Sequence, residues 1–195
     1  MKQLLRQIEE CFDGIKAGRI EIYNEFSLQH ELGFFLRNSL GSRYKVHFEK
    51  PITEYGLKRG DYTKKEIDIS LFNSTNNDRE VAIELKFPRQ GQYPEQMYSS
   101  ICDIVFLEEL VNYGGFRFGI FVMVADDELF FRTEESEKIY KYFRSNVPIQ
   151  GRIYKPTGTP KSHVNVLGSY AVKWKSITKN MKYFTVPIFR GLTTA

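Results

Sequence analysis

Two carboxylates and a lysine stand where neighbouring strands would bring them together. Asp68 lies in Lys65-Glu66-Ile67-Asp68-Ile69-Ser70-Leu71-Phe72, and Glu84 and Lys86 lie in Val81-Ala82-Ile83-Glu84-Leu85-Lys86-Phe87. A pair of hard oxygen ligands beside a cation is an arrangement that holds Mg²⁺ against a phosphate. Both runs alternate: Ile67, Ile69 and Leu71 share one face of the first, and Ile83, Leu85 and Phe87 one face of the second. Such alternation marks half-buried strands. The other faces carry Glu66, Asp68, Ser70 and Ala82, Glu84, Lys86. The link from Asn73 to Asp78 is made of turn formers, so a hairpin is expected, with Asp68 beside Glu84 and Lys86 two residues along. The bland reading of the same pattern is a solvated antiparallel face with ordinary cross-strand ion pairs.

Phosphodiester hydrolysis needs an activated water and stabilisation of the charge that builds on the phosphate and leaving oxygen. Mg²⁺ on Asp68 and Glu84 would supply both, and Lys86 would orient water and offset negative charge. The two acids would tend to keep that lysine protonated. Glu31 is a further acidic candidate. Leu28, Glu31, Leu32 and Phe35 share a helical face, so Glu31 falls within or beside an apolar stripe. An unpaired carboxylate there is costly, and it should find a cation, a metal or a donor, or lie at the rim.

The elements that must position these groups follow from periodicity. Leu4, Leu5, Ile8, Cys11, Phe12 and Ile15 predict a helix from Lys2 to about Lys16. Asn24 is a candidate N-cap for a second helix ending near Gly41. A strand over 44–50 precedes the hairpin. A long helix is expected from about Pro94 to Asn112, with Gln92, Gln96, Ser99 and Asp103 on a stripe apart from its apolar one. The almost wholly apolar run from Phe116 to Val124 reads as a central strand buried on both faces. A helix over about 134–144 follows, then a long loop over 146–162 marked by Pro148, Gly151, Pro156, Gly158 and Pro160. Two strand-like runs close the chain, at 164–177 and 182–189. The 195 residues suffice for one domain with a substantial core. That domain divides into an N-terminal helix (1–23), a core (24–126), and a C-terminal helix with an extension (127–195).

Charge is lopsided. From Lys138 onward there are eleven Lys and Arg residues and no Asp or Glu, which leaves 17 basic and 24 acidic residues before it. Either the basic part meets a polyanion, or it pairs with the acidic part of the same chain. Cys11 and Cys102 can make no disulfide framework and lack metal-ligand spacing. No signal core or membrane-length apolar run is present, so a cytoplasmic protein without a membrane partner is expected. Gly-rich phosphate loops and Ser/His/Asp patterns are also absent.

Asp68, then Glu84-Leu85-Lys86, then a helix, with Glu31 on a preceding helix, resembles the PD-(D/E)XK, or restriction-endonuclease-like, nucleases over about residues 24–126. Ile67 stands where the family motif has Pro. The resemblance implies an α/β fold with an α-β-β-β-α-β core, a mixed central sheet flanked by helices, and here a basic β-rich C-terminal extension. It implies a Mg²⁺- or Mn²⁺-dependent endonuclease acting on DNA. Asp68, Glu84 and the Leu85 carbonyl would face the metal, with Lys86 and Glu31 completing the catalytic set. Duplex cleavage needs one site per strand, which makes a homodimer an expectation. DNA contacts would come from Lys58, Arg59, Lys64, Lys65 and Arg89 around the hairpin, and from Lys155, Lys161, Lys173 and Lys175 in the basic part. Lysines of this kind bind phosphates and carry little sequence information. Tyr154, Trp174 and Tyr183 would stack on bases or, more ordinarily, belong to the core or its rim. The competing expectation is a non-catalytic DNA-binding or assembly module on the same scaffold, with salt-dependent binding and no metal requirement.

Overall fold

In the computed structural model, which describes residues 2–89, 91–133, 137–157 and 162–191, the two alternating runs form the expected hairpin. Strand β2 (Glu66–Asn73) pairs antiparallel with β3 (Arg79–Lys86), setting Ile69 opposite Ile83 and Leu71 opposite Val81. Strand β1 (Tyr44–Pro51) adds antiparallel to β2. Strand β4 (Phe118–Ala125) lies parallel to β3, as its apolar run and the intervening helix α3 (Tyr93–Asn112) require. The architecture is therefore α/β with a mixed sheet.

Helices α1 (Lys2–Lys16) and α2 (Glu25–Leu40) cover one face of this sheet. Asn24 caps α2 as expected. Its side chain accepts from Ser27 N at 2.7 Å, and Ser27 Oγ accepts from Asn24 N at 3.0 Å. Ile69, Leu71, Val81, Ile83, Leu85, Ile120, Val122 and Val124 pack beneath these helices. Ala82, Phe121 and Met123 point the other way, under α3. Helix α3 comes close to β4 because Gly119 has no side chain: a Cβ there would lie 3.0 Å from Leu107 Cβ. Gly119→Val is expected to push α3 off the sheet and lower stability by about 1–3 kcal/mol, read as a reduced urea midpoint. An unchanged midpoint would show that the contact relaxes freely.

The C-terminal part differs from the sequence expectation in three ways. Of the helix expected over 134–144, only α4 (Tyr140–Arg144) is helical among the described residues, and 134–136 lie outside them. The long loop contains a strand, β5 (Ile149–Tyr154), paired antiparallel with β6 (His163–Tyr170) in a separate two-stranded sheet. Its alternation is broken at Gly151, which has φ 69° and sits where the register of that pair shifts. The final strand β8 (Lys182–Phe189) is no appendage. It pairs antiparallel with β4, with the short β7 (Lys175–Ser176) outside it, giving the sheet order β1-β2-β3-β4-β8-β7. A strand as apolar as β4 needs a neighbour on each side, and β8 is that second neighbour.

The β5–β6 hairpin packs on α3. Glu108 of α3 is buried and accepts from Leu167 N at 2.9 Å, Gly168 N at 2.7 Å and the Tyr170 hydroxyl at 2.8 Å. Trp174 serves the core. Its Nε1 donates to Phe143 O at 2.8 Å and its ring meets Phe184 edge-on. Tyr183 is buried against Phe12, whereas Tyr154 is exposed. No helix among the described residues is long and apolar enough to cross a membrane.

Candidate active site

Alternation along β3 sends Glu84 and Lys86 to the face beneath α3, and Asp68 stands opposite Glu84, one step beyond the Ile69–Ile83 pair. At this end the carboxylates enter the ladder themselves. The Leu85 amide donates to Asp68 Oδ2 at 2.7 Å, and the Asp68 amide lies 3.3 Å from Glu84 Oε1. The polar face is not solvated: α3 covers it, Glu84 is completely buried, and Asp103 of α3 comes down onto it at 2 % exposure.

Two ammonium groups enter this cluster. Lys64, from the loop before β2, contacts Glu84 Oε2 and lies 3.2 Å from Asp103 Oδ1 and 3.9 Å from Asp68 Oδ1. Lys86 lies 3.5 Å from Asp103 Oδ2 and 3.7 Å from Glu25 Oε2. The Asp103 carboxylate thus spans the two lysines. Glu25 also accepts from the Phe87 amide at 2.9 Å, which fixes the α2 N-terminus against the end of β3. Gln29, one turn on, donates to Asp68 O at 2.8 Å and to Glu49 Oε1 at 2.5 Å.

Burial dominates the electrostatics. It raises the Glu84 carboxyl well above its ordinary range, with Asp68 adding to the effect and Lys64 opposing it. It pushes Asp68 up to about 6, against the pull of Lys64 and the Leu85 amide. Burial works against both ammonium groups too. Glu84, Asp103 and Asp68 more than offset it at Lys64, and Asp103 with Glu25 does so at Lys86, so both are held above their ordinary value.

A cleft of about 650 Å³ opens beside Lys86, lined among others by Asn24, Glu25, Phe26, Arg89 and Gln96. Phe26 is 72 % exposed at its wall. Arg89 donates to Tyr23 O at 2.7 Å and pairs with Asp126 at 3.0 Å. Lys86 and its partner Glu25 are therefore the charged groups of the cluster that a molecule in the cleft meets. Among the described residues no three His, Cys, Asp or Glu side chains are arranged to hold a metal ion. Asp68 and Glu84 form a pair, and one or two carboxylates are the usual protein share of a Mg²⁺ shell that also takes substrate phosphate.

Asp68, Glu84 and Leu85 come together, and Lys86 reaches them through Asp103 and Lys64; Glu31 does not join them. Helix α2 packs on the apolar face of the sheet, so only its N-terminal end reaches round to the polar face. Glu31 is two residues, about 200° of helical turn, from Gln29. It sits 3.4 Å from His30 Nδ1, and its charge adds to the burial that pushes the Cys11 thiol of α1 up to about 12. Lys64 points inward instead of forming part of a basic surface. Lys58, Arg59, Lys65, Arg89 and Lys173 are exposed. Lys155 pairs with Glu95 at 3.6 Å and Lys175 with Glu9, so part of the basic half does pair with the acidic half of the same chain. Lys161 lies outside the described residues. Asp103, Glu25 and Gln29 were not singled out from sequence. For Asp103 there was a signal: an acid between Cys102 and Ile104 in an apolar helix, seven residues after Gln96 on the same stripe.

Comparison with protein-family models, with curated proteins and with solved structures finds no match for this chain.

Proposed function

We propose that the chain is a Mg²⁺- or Mn²⁺-dependent endonuclease that hydrolyses DNA phosphodiester bonds at a PD-(D/E)XK-type site. One observation carries this reading: Asp68 and Glu84 meet at the end of adjacent strands, and Lys86, joined to them through Asp103, faces an open cleft. The order β1-β2-β3-α3-β4, with β3 and β4 parallel, supports it as well. Hard carboxylate oxygens suit Mg²⁺ or Mn²⁺ better than softer metals. A divalent ion bound there supplies an acidified water and offsets charge on the phosphate.

Asp68 and Glu84 would hold that ion, with the Leu85 carbonyl beside them. Lys86, kept protonated by Asp103 and Glu25, acts as a donor to the phosphate or to the attacking water. Exposed Lys58, Arg59, Lys65 and Arg89 would contact the DNA backbone without reading its sequence. A homodimer would place one such site on each strand of a duplex.

The test is cleavage of supercoiled plasmid in millimolar Mg²⁺ or Mn²⁺. Wild type should nick or linearise it, EDTA should stop the reaction, and Asp68→Ala should fall to background. Cleavage that persists in EDTA, or in Asp68→Ala, would remove this mechanism. The inward turn of Lys64 favours a second reading, a non-catalytic DNA-binding or assembly module whose acids are neutralised from within the chain. That reading requires salt-dependent DNA binding with no cleavage under any divalent metal.

A further inference from the structure

Lys64 parts company with its loop neighbours. Lys58, Arg59 and Lys65 are exposed, yet Lys64 carries its ammonium in among Glu84, Asp103 and Asp68, contributed by β3, α3 and β2. The side chains of Glu84 and Asp103 are 0 % and 3 % exposed. Carboxylates so far from water demand a proton or a cation, and here the chain places its own cation among them. The cluster also keeps spare acceptor capacity. Asp103 Oδ2 is buried without a hydrogen bond, 3.5 Å from Lys86.

The attachment of Lys64 allows it to leave. It belongs to no strand, and its side chain is 30 % exposed. The residue before it is fastened: Thr63 donates to Glu109 of α3 through its amide and its hydroxyl, both at 2.6 Å. The backbone therefore stays docked on α3 while a long, unbranched stem swings. Lys86 differs in that it projects from within β3, with its ammonium between Asp103 and Glu25.

We propose that Lys64 is a tethered counter-cation that holds the Asp68, Glu84 and Asp103 carboxylates together without metal, and that a divalent ion competes with its ammonium for the Asp68 and Glu84 oxygens. The inference rests on the metal-site reading above and adds its regulation. Competition is reciprocal: the ion expels Lys64, and Lys64 weakens binding of the ion.

The experiment uses Mn²⁺ on the full chain, with binding followed by electron paramagnetic resonance. Lysine reactivity towards an acetylating ester is read by mass spectrometry, with Lys58 and Lys65 as internal references. Lys64 is expected to acetylate several-fold faster at saturating Mn²⁺ than without it. Lys64→Met is expected to bind Mn²⁺ about 5- to 100-fold more tightly than wild type. Loss of a positive charge would tighten binding even if Lys64 never moved, so the labelling of wild type is the deciding measurement. Lys64 reactivity unchanged at saturating Mn²⁺ overturns the proposal, as does equal or weaker Mn²⁺ affinity in Lys64→Met. Glu84→Gln separates this inference from its parent. If that substitution weakens Mn²⁺ binding while Lys64 labelling stays flat, only the exchange falls. If neither wild type nor Lys64→Met binds Mn²⁺ at millimolar concentration, both fall.

Discussion

Lys86→Ala is expected to slow Mg²⁺-dependent cleavage by on the order of 10²–10³-fold while leaving DNA binding at low salt nearly unchanged. Lys86 is the cation of the cluster that opens onto the cleft, and its side chain is only 14 % exposed. A preorganised ammonium in such a place stabilises developing charge without solvent reorganisation, so its loss should appear in the chemical step. Binding should survive because the exposed Lys58, Arg59 and Lys65 are untouched. The fold should survive too, since Asp103 keeps Lys64 as a partner. Lys86→Arg should restore little, because a planar guanidinium does not fit where a point charge is held between two carboxylates. Single-turnover cleavage alongside a salt-titrated binding curve separates the two effects. A variant that cuts at the wild-type rate would leave Lys86 as a structural ion-pair partner only.

Glu108→Ala should be strongly destabilising although Glu108 lies outside the site. It strips the acceptor from two backbone amides and from the Tyr170 hydroxyl, all in the interface between α3 and the β5–β6 hairpin. The Gly168 amide and the Tyr170 hydroxyl are buried, and each buried donor left without a partner costs about 1–3 kcal/mol, so a loss of roughly 2–6 kcal/mol is expected in urea denaturation. Burial, and then the Glu108 charge, also raise the Tyr170 hydroxyl, which keeps it a donor. Glu108→Gln retains one acceptor oxygen and should cost less. A loss under about 1 kcal/mol for the alanine variant would mean that apolar packing of Ile149, Ile153 and Val166 alone holds the hairpin.

The hairpin acids, the α2 cap and the buried β4 were legible in the sequence because each depends on neighbours in the chain. Alternation fixes which residues of β2 and β3 share a face, and Asn24 with Ser27 is a local device. Glu31 was misplaced for the opposite reason. Its position depended on which face of the sheet α2 would cover, and periodicity within a helix is silent on that. Asp103 and Lys64 reach the site only through the docking of α3 and the path of the 56–65 loop, which are long-range facts. Strand β5 was lost in a glycine- and proline-rich stretch whose pairing becomes apparent only against β6. The apolar character of 182–189 was clear, but that it would complete the central sheet beside β4 was not.

Near the acids, backbone pairing between β2 and β3 passes through side-chain oxygens: the Leu85 amide is held by Asp68 and the Asp68 amide faces Glu84. On the metal-site reading proposed above, scaffold and chemistry draw on one set of atoms. Whatever ligand those oxygens accept pulls directly on main-chain protons, so the state of the pocket is transmitted into the seam between two strands without any intermediary. A protein wired in this way cannot retune its reactive oxygens without also loosening or tightening the sheet that carries them.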